Sequence, residues 1–326
     1  MIVVIAAAIL AQVCLADVPT LSIYQIQYTT DPAGNSSYDG QMVNCTGGIV
    51  IYKYSKGRQR IILYDGVHSD GWGGITVKAL NGYPFNSVNL GDWVSLSNVW
   101  VYETAYKSSG NTTLFYDSSF SSSFTVDSNN NPLPQPTVVS ITDIPAPVYD
   151  PARSGWYVAN HNAEKYESMY IKVKDVNVGS MNLGKSNPPD NYSLCSPADP
   201  SISCWASDYM NKDKDPALYY MSIIAPGLHL CSVSGILEQY TNLGGSTRWD
   251  YYQLLTTSSG DLKTQTGDLN RDCKVDFADF AYFAQQWLND YCNDPDWCNG
   301  TDFSKDGIVD EADLAILVDN WLSITD

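Results

Sequence analysis

Short runs in which apolar and polar residues alternate dominate the chain between about residues 17 and 145. The runs are MVNCTGGIVIYKY (42–54), RIILYD (60–65), GITVKAL (74–80), WVSLSNVWVYET (93–104) and TTLFYD (112–117). Turn clusters such as Asp65-Gly66 and Asn81-Gly82 separate them. Alternation with a period of two is typical of half-buried strands. Five such strands predict a small barrel or sandwich.

A second segment, about 146–258, repeats this pattern after a linker of Asn and Pro residues at 129–136. Its runs are MYIKVKDVNVG (169–179), CWASDY (204–209), LYYMSII (218–224), LCSVSGILEQY (230–240) and WDYYQLLTT (249–257). Residues 94–99 and 231–236 correspond at an offset of 137. Both alternate with one face able to pack inward, so we interpret them as the fourth strands of two copies of one fold.

The two segments resemble the OB-fold modules that accompany secreted bacterial nucleases. The first copy carries this resemblance in YDGQMVNCTGGIV, GWGGITV, NLGDWVSLSNVWVYE and NPLPQPTVVSITDI, and the second in ESMYIKVKDV and YYQLLTTSSGDL. The resemblance implies two tandem OB-like β-barrels, and an OB fold by itself fixes no ligand. Trp72 is either a ligand platform on the first barrel or a packing residue.

A gapless repeat follows the β segments. GDLNRDCKVDFADFAYFAQQWL (267–288) and TDFSKDGIVDEADLAILVDNWL (301–322) align at an offset of 34. Each copy has oxygen-bearing side chains at loop positions 1, 3, 5, 9 and 12, and the backbone carbonyl of position 7 completes a set that wraps a hard cation. We therefore expect two Ca²⁺ sites. Their expected ligands are Asp268, Asn270, Asp272, Lys274, Asp276 and Asp279 in the first loop, and Asp302, Ser304, Asp306, Ile308, Asp310 and Asp313 in the second.

An apolar stripe follows each loop and predicts a short helix. The stripes are Phe280, Phe283, Ala284 and Trp287 after the first loop, and Leu314, Leu317, Val318 and Trp321 after the second. We expect the two stripes to form the mutual core of a small α-helical unit. Val275 and Val309 stand at position 8, where a small apolar residue can pair the two loops.

The double repeat resembles a type I dockerin, a family in which Asp stands at position 12. The resemblance implies docking to a cohesin-like module through the helix starts, here Phe277-Ala278 and Glu311-Ala312. Phe277 and Glu311 differ sharply, which departs from the two-fold equivalence of the family. Cys273 occupies position 6, where the second loop has Gly307. Because this position favours an open backbone conformation, we expect the first site to bind Ca²⁺ more weakly.

Acidic residues are concentrated in this last segment. The chain of 326 residues has a formal charge of −18, and the 14 acidic and three basic residues from Asp268 onward account for −11 of it. Binders of duplex nucleic acid need the opposite sign, so we do not expect that partner. The three histidines lie far apart, and no nucleophile-elbow, zinc-protease or phosphate-loop motif occurs. We therefore expect no enzymatic activity.

Residues 1–16 have the pattern of a secretory signal peptide. An apolar run at 2–13 precedes Cys14-Leu15-Ala16, whose small residues predict cleavage after Ala16, with retention of the segment as the alternative. The run is too short for a comfortable membrane span. Export favours disulfides, and short spacings predict the pairs Cys195–Cys204 and Cys292–Cys298. Cleavage would leave seven cysteines, so at least one lacks a partner within the chain.

The sequence thus predicts a mainly β protein: a signal peptide (1–16), two tandem OB-like β-barrels (17–145 and 146–260) and a small α-helical dockerin-like calcium-binding domain (261–326). We expect a non-catalytic protein, secreted or at the cell surface, that docks to a cohesin-like partner or a neighbouring copy of itself in a surface layer, fibre or tubular polymer. The alternative is a scaffold-attached module that binds a glycan or single-stranded nucleic acid on the OB-like faces. A glycan fits better, because residues 1–267 still carry −7 and have no basic stripe.

Overall fold

The computed structural model describes residues 17–54, 58–103, 111–184, 191–207, 224–242, 246–294 and 296–325. Sixteen β-strands and four short α-helices lie in these residues, so the protein is mainly β, as predicted. The predicted signal peptide and nearly all of the predicted strand 218–224 lie outside the described residues. No helix in the described ranges has the length and apolar character needed to cross a membrane.

Five strands of the first sheet close into a barrel. They are β2 (Met42–Tyr54), β3 (Arg60–Tyr64), β4 (Gly74–Ala79), β5 (Trp93–Tyr102) and β6 (Thr113–Tyr116). The pairing order is β2-β3-β4-β6-β5, and β5 pairs again with β2. β4 and β6 are parallel, whereas the other barrel pairs are antiparallel. All five strands correspond to runs identified in the sequence. Of the two predicted architectures, barrel and sandwich, the closed sheet is a barrel.

The second sheet also closes through five strands. They are β11 (Tyr170–Val178), β12 (Asn191–Cys195), β13 (Ser203–Ser207), β14 (His229–Asn242) and β15 (Arg248–Leu255). The order is β11-β12-β13-β15-β14, β14 returns to β11, and β13 and β15 are parallel. β5 and β14, which contain residues 94–99 and 231–236, are each fourth along the chain among their five strands.

Shorter elements flank the two barrels. Beside the first lie β1 (Thr20–Leu21), α1 (Ile23–Gln27) and β7 (Ser123–Ser128); beside the second lie β8 (Thr137–Val138), β9 (Val148–Asp150), β10 (Gly155–Tyr157) and β16 (Leu262–Lys263). β9 and β10 form a hairpin that extends the second sheet past β15. Each barrel has its own core of Val, Ile, Leu and aromatic side chains.

The β12–β13 hairpin corrects one predicted disulfide. Cys195 and Cys204 are both free. Cys204 lies opposite Leu194 in the ladder, and Cys195 lies opposite Ser203. Because successive side chains of a strand point to opposite faces, the two thiols project from opposite sides of the hairpin and cannot bond. The predicted pair Cys292–Cys298 is formed, and Cys231 pairs with Cys273, which was not predicted.

The two barrels pack directly against each other. A small apolar cluster spans the contact, with Tyr52, Tyr54 and Ile62 from the first barrel and Ile236 and Leu255 from the second. The backbones also approach closely, since a Cβ added to Gly74 would lie 2.4 Å from the carbonyl carbon of Ser168. The Oδ1 atom of Asn111 accepts a 2.6 Å hydrogen bond from the backbone N–H of Gln239. Apolar and polar contacts thus fix the barrels together.

The last segment forms a small helical unit from α2 (Phe277–Gln285), α3 (Trp297–Gly300) and α4 (Glu311–Asp319). Its core contains Phe283 and Leu317 from the predicted stripes, with Leu314 and Trp321 packed against it. The other stripe residues are exposed: Phe280, Ala284, Trp287 and Val318. The predicted mutual core is therefore only half correct, because two helices of nine residues share too little surface to cover both full stripes.

Position 8 of each loop pairs differently from the prediction. The N–H and carbonyl of Val275 bond to Ser323 and Leu322, which follow α4, and those of Val309 bond to Asn289 and Leu288, which follow α2. Both valines are fully buried in the shared core. The loops therefore do not pair with each other through their backbones. Each loop pairs instead with the segment that follows a helix.

Candidate metal centre

The first acidic loop is organised by the carboxylate at its position 1. Asp268 accepts hydrogen bonds from the backbone N–H of Asp272 at 3.0 Å and of Cys273 at 2.9 Å. Asn270 at position 3 also accepts from the Asp272 N–H, at 3.0 Å, and Asp272 at position 5 accepts from the Lys274 N–H at the same distance. These contacts wrap the loop around the side chains of positions 1, 3 and 5.

The carboxylate at position 12 joins the two ends of the loop. Asp279 is fully buried, and its Oδ1 accepts from the N–H groups of Leu269 and Asn270 at 2.8 and 3.1 Å. Its Oδ2 accepts from the N–H of Asp276 at 2.9 Å. A buried carboxylate needs such donors, because an unpartnered charge in the interior is very costly. Asp279, which lies in the first turn of the following helix, therefore connects the start of the loop to its end.

The second loop repeats these contacts at the offset of 34. Asp302 accepts from the N–H of Gly307 at 3.0 Å, the counterpart of the Cys273 contact. The fully buried Asp313 accepts from Ser304 at 2.8 Å and from Asp310 at 3.0 Å. The side chain of Ser304 donates to Asp302 at 3.2 Å, and Asp306 accepts from the N–H of Ile308 at 3.1 Å. Ten of the predicted ligand side chains thus lie on two equivalent loops.

Position 9 has a structural role in both loops. Asp276 and Asp310 are the N-caps of α2 and α4, and each accepts a 2.8 Å hydrogen bond from the N–H two residues later. Each also forms a capping box with the aspartate of position 12. One oxygen of each position 9 carboxylate is used in the cap. A bound cation would use the other oxygen, directly or through a water.

Position 6 has a positive φ angle in both loops, as the sequence predicted. The angle is 65° at Cys273 and 99° at Gly307. A glycine adopts this region without penalty, whereas a side chain makes it unfavourable. Cys273 is held there by its disulfide to Cys231 of β14, which attaches the first loop to the second barrel. Partial burial also raises the pKa of Asp268 above its ordinary value, and a nearby cation would favour the charged form.

One cluster of possible metal ligands was not predicted. Ligand atoms of His229, Cys231, Asp268 and Cys273 all lie within 4.8 Å of one another, the one such group of three or more His, Cys, Asp or Glu in the described ranges. Within the described residues, the carboxylates of a single acidic loop form no such group. A Ca²⁺ ion, with ligand distances of about 2.3–2.6 Å, would draw them inward.

Trp72 lies between the barrels. Its φ angle is 67°, and its backbone N–H donates a 2.5 Å hydrogen bond to the carbonyl of Lys165. The half-buried indole lines a cleft of about 590 Å³ together with Asp31, His161 and Glu164. Trp72 therefore both joins the barrels through its backbone and presents its ring to a cleft.

Three glutamates are buried close to this cleft. Glu103, Glu164 and Glu167 are at most 5% exposed. The Oε1 atom of Glu103 accepts from the Ser36 N–H at 2.7 Å and from the Thr112 hydroxyl at 2.5 Å. Burial raises the pKa of Glu103 to about 7 and that of Glu164 to about 8, and it raises the pKa of Glu167 well above its ordinary value.

Hydrogen bonds connect Glu164 to the cleft. The Tyr252 hydroxyl donates to Glu164 at 2.6 Å and lies 3.0 Å from Nδ1 of His161. Glu167 accepts from the Thr112 N–H at 3.2 Å, but its Oε1 is buried without a hydrogen-bond partner. An unpartnered buried oxygen is tolerated best when the carboxyl group is protonated. Burial therefore favours the protonated form of all three acids.

The sequence matches no family model, and no curated protein matches it. Among solved structures, the crystal structure of fission yeast Pot1 and ssDNA is similar at 12% identity. The match covers 67% of this chain and 79% of that chain with a TM-score of 0.26. A likeness of this size carries no argument about ligand or function. The description of each sheet as a closed five-stranded barrel rests on its strand pairings and not on this comparison.

Sequence reasoning missed the residues whose role depends on distant contacts. Cys231 lies in an alternating run that indicates only a strand, His229 stands just before that run, and 42 residues separate Cys231 from its partner. Glu164 and Glu167 stand in an ordinary polar segment, so nothing in the local pattern indicates their burial. The acidic loops were found because their chemistry is contained within twelve consecutive residues.

Proposed function

We propose that the chain is an exported, non-catalytic assembly protein in which two OB-like barrels are attached to a partner through a dockerin-like module that binds two Ca²⁺ ions. The repetition of the same backbone-to-carboxylate contacts in two loops 34 residues apart carries this proposal. Helix capping alone requires only the aspartate of position 9. It does not account for the acids at positions 1 and 5, whose charge a cation would neutralise, or for the oxygen-bearing side chain at position 3.

The strand order supports the assignment of both barrels to one fold. Each has five strands in the order 1-2-3-5-4, with strand 1 closing on strand 4 and a parallel pair between strands 3 and 5. A five-stranded, partly open Greek-key barrel is the OB architecture. Two copies side by side provide a rigid body that a small docking module can carry.

Exposed apolar side chains on the helical unit support a docking role. Phe277, at the start of α2, is 77% exposed, and Tyr291, between the repeats, is 83% exposed. Leu288 and Leu322, which follow α2 and α4, are 65% and 71% exposed. These side chains would give a docking partner apolar surface to cover. The partner in this proposal is a cohesin-like module or a neighbouring copy of the chain.

Calorimetric titration of the full exported chain with Ca²⁺ tests the calcium step. We expect two sites, with the second tighter than the first because Gly307 suits position 6 better than Cys273. Asp272→Asn should weaken only the first site and Asp306→Asn only the second, and both residues are exposed, so neither change should unfold the unit. Asp290→Asn, outside both loops, is the matched control. Absence of binding by the wild type would contradict the proposal.

Negative-stain microscopy with and without a chelator tests the assembly step. We expect ordered polymers, or a stable complex with a cohesin-like module, that dissociate when Ca²⁺ is removed, because the exposed helix starts are held in place by the loops. Assemblies that survive the chelator unchanged would reject calcium as the determinant of docking. Monomers that keep a bound ligand would favour the second candidate function below.

Glycan binding is that second candidate, and a row of aromatic rings favours it. Trp156 of β10 and Trp249 of β15 are stacked with centroids 6.2 Å apart and planes 8° apart, and Tyr149 of β9 lies 5.6 Å from Trp156. Aromatic faces attract the weakly positive C–H groups of sugar rings, and they need no basic groove. Retention on insoluble polysaccharides that Trp249→Ala abolishes would support this function. Retention on single-stranded DNA instead would indicate a nucleic-acid ligand.

A further inference from the structure

The junction between the second barrel and the first acidic loop brings together nitrogen, sulfur and oxygen ligands. His229 and Cys231 are alternate residues of β14, so their side chains lie on the same face of the strand. Opposite them stand Asp268 and Cys273 of the first loop, and the four ligand atoms lie within 4.8 Å of one another. The imidazole of His229 and the sulfurs of the two cysteines are typical ligands of zinc-class metals. Of the four side chains, only Asp268 is also a typical calcium ligand.

The orientation of His229 supports a metal at this junction. Its Nδ1 lies 3.0 Å from Oδ1 of Asn177, an acceptor, so Nδ1 carries a proton. Nε2 faces Sγ of Cys273 at 3.4 Å and a carboxylate oxygen of Asp175 at 3.7 Å. Both of these atoms are acceptors in the oxidised chain, and the side chain is only 8% exposed. A cation would satisfy this nitrogen, and metal-bound histidines are typically fixed through their other nitrogen in this way.

We propose that His229, Cys231, Cys273 and Asp268 bind a zinc-class divalent metal when the chain is reduced, and that the Cys231–Cys273 disulfide is the oxidised form of the same junction. A disulfide has no thiolate to offer, so the two forms exclude each other. A trialkylphosphine with water converts the disulfide into two thiols and is itself oxidised to the phosphine oxide. The metal ion then binds both sulfurs and releases two protons. Two thiolates, one imidazole and one carboxylate suit tetrahedral zinc.

Metal binding at this site would also affect Ca²⁺ binding by the first acidic loop. Asp268 is position 1 of that loop and is shared by both ligand sets. A zinc-class ion would withdraw one of its oxygens from Ca²⁺, whereas the second loop has Gly307 in place of Cys273 and no equivalent junction. Loss of Ca²⁺ from the first loop but not the second is therefore expected on zinc loading. The proposal does not depend on calcium binding, because the four side chains converge in a structure without Ca²⁺.

Cobalt titration of the full chain tests the site, since Co²⁺ bound to thiolates gives a strong charge-transfer absorption. After anaerobic reduction and removal of the phosphine, we expect one equivalent of Co²⁺ to produce this band and Zn²⁺ to remove it. The oxidised chain should give no band. Cys231→Ser and His229→Ala should abolish the site, and Asn177→Ala, which removes a positioning residue, should weaken it about 10- to 100-fold. The double variant Cys292→Ser/Cys298→Ser is the matched control and should keep the band.

A measurement on the reduced wild type avoids any effect of substitution on folding. Iodoacetamide is added with and without Zn²⁺, and alkylated cysteines are located by peptide mass. We expect Zn²⁺ to protect Cys231 and Cys273, and to leave alkylation of the free Cys195 unchanged. Equal alkylation of Cys231 and Cys273 in the two samples would overturn the proposal. A cobalt band that persists in both Cys231→Ser and His229→Ala would overturn it as well, because other thiols would then be the ligands.

Discussion

Replacing Glu103 with glutamine should stabilise the protein at alkaline pH and change its stability little in mild acid. Glu103 is buried between the barrels, where desolvation is the main cause of its raised pKa. Its hydrogen bonds from Ser36 and Thr112 favour the charged form but do not compensate fully, and the nearby Asp39 and Asp31 disfavour it further. Glutamine keeps an oxygen that can accept both hydrogen bonds and never acquires the charge.

The magnitude follows from the difference in pKa between the folded and unfolded chains. The pKa rises from 4.5 to about 7 on folding, so the folded state holds its proton to higher pH than the unfolded state does. The stabilising contribution is therefore fully present below about pH 4.5 and is lost as the pH rises to about 7. At about 1.4 kcal/mol for each pH unit, the wild type loses about 3 kcal/mol across this window. The variant avoids that loss.

Urea unfolding followed by tryptophan fluorescence, at about pH 5 and about pH 9, measures the effect. The free energy of unfolding of Glu103→Gln should exceed that of the wild type by about 3 kcal/mol at the higher pH and by much less at the lower. Asp127→Asn, an exposed change on β7 that removes the same charge, is the control for net charge. An equal gain from Asp127→Asn, or a Glu103→Gln variant that is less stable at the higher pH, would refute the reasoning.

Three other expectations test the fold. Gly47→Ala should destabilise the first barrel by about 3 kcal/mol or more, because φ is +88° and the added Cβ would lie 2.0 Å from a backbone oxygen. Gly82→Ala, where φ is +64° but the surrounding space is open, should cost only about 1 kcal/mol. Thermal unfolding of the two variants measures this difference. Non-reducing peptide mapping should recover Cys195 and Cys204 as thiols, and a bridge between them would disprove the hairpin register. Exported protein should begin at Asp17 by N-terminal sequencing, and Met1 in that material would exclude cleavage.

Local patterns in the sequence were sufficient to locate most strands and both acidic loops. β2 and β5 contain stretches in which apolar and polar residues alternate, and this period of two predicts strands. β12 was not predicted because its alternating sequence, NYSLC, is only five residues long and lies among Asn, Pro and Ser residues that are typical of a loop. It became a strand through pairing with β11 and β13, which no local pattern reveals.

The contacts that join segments could not be predicted. The spacing of Cys195 and Cys204 suggested a short bridge, but the register of the hairpin sends their side chains to opposite faces. Glu103 and Glu167 look like ordinary surface acids until two barrels cover them. Each of these outcomes depends on tertiary packing, which is encoded by many residues together and by none of them singly.

The backbone pairing of position 8 with residues that follow a helix imposes an order on the folding of the helical unit. Val275 of the first loop needs the backbone of Leu322 and Ser323, which the ribosome adds only after both helices have been made. Until those residues are present, the first loop lacks the backbone partners of Val275. The Cys231–Cys273 disulfide attaches the loop to the second barrel without them. Deleting residues from Leu322 onward should thus disturb the first acidic loop, although it is farther away in the chain. The second acidic loop should remain paired with Leu288.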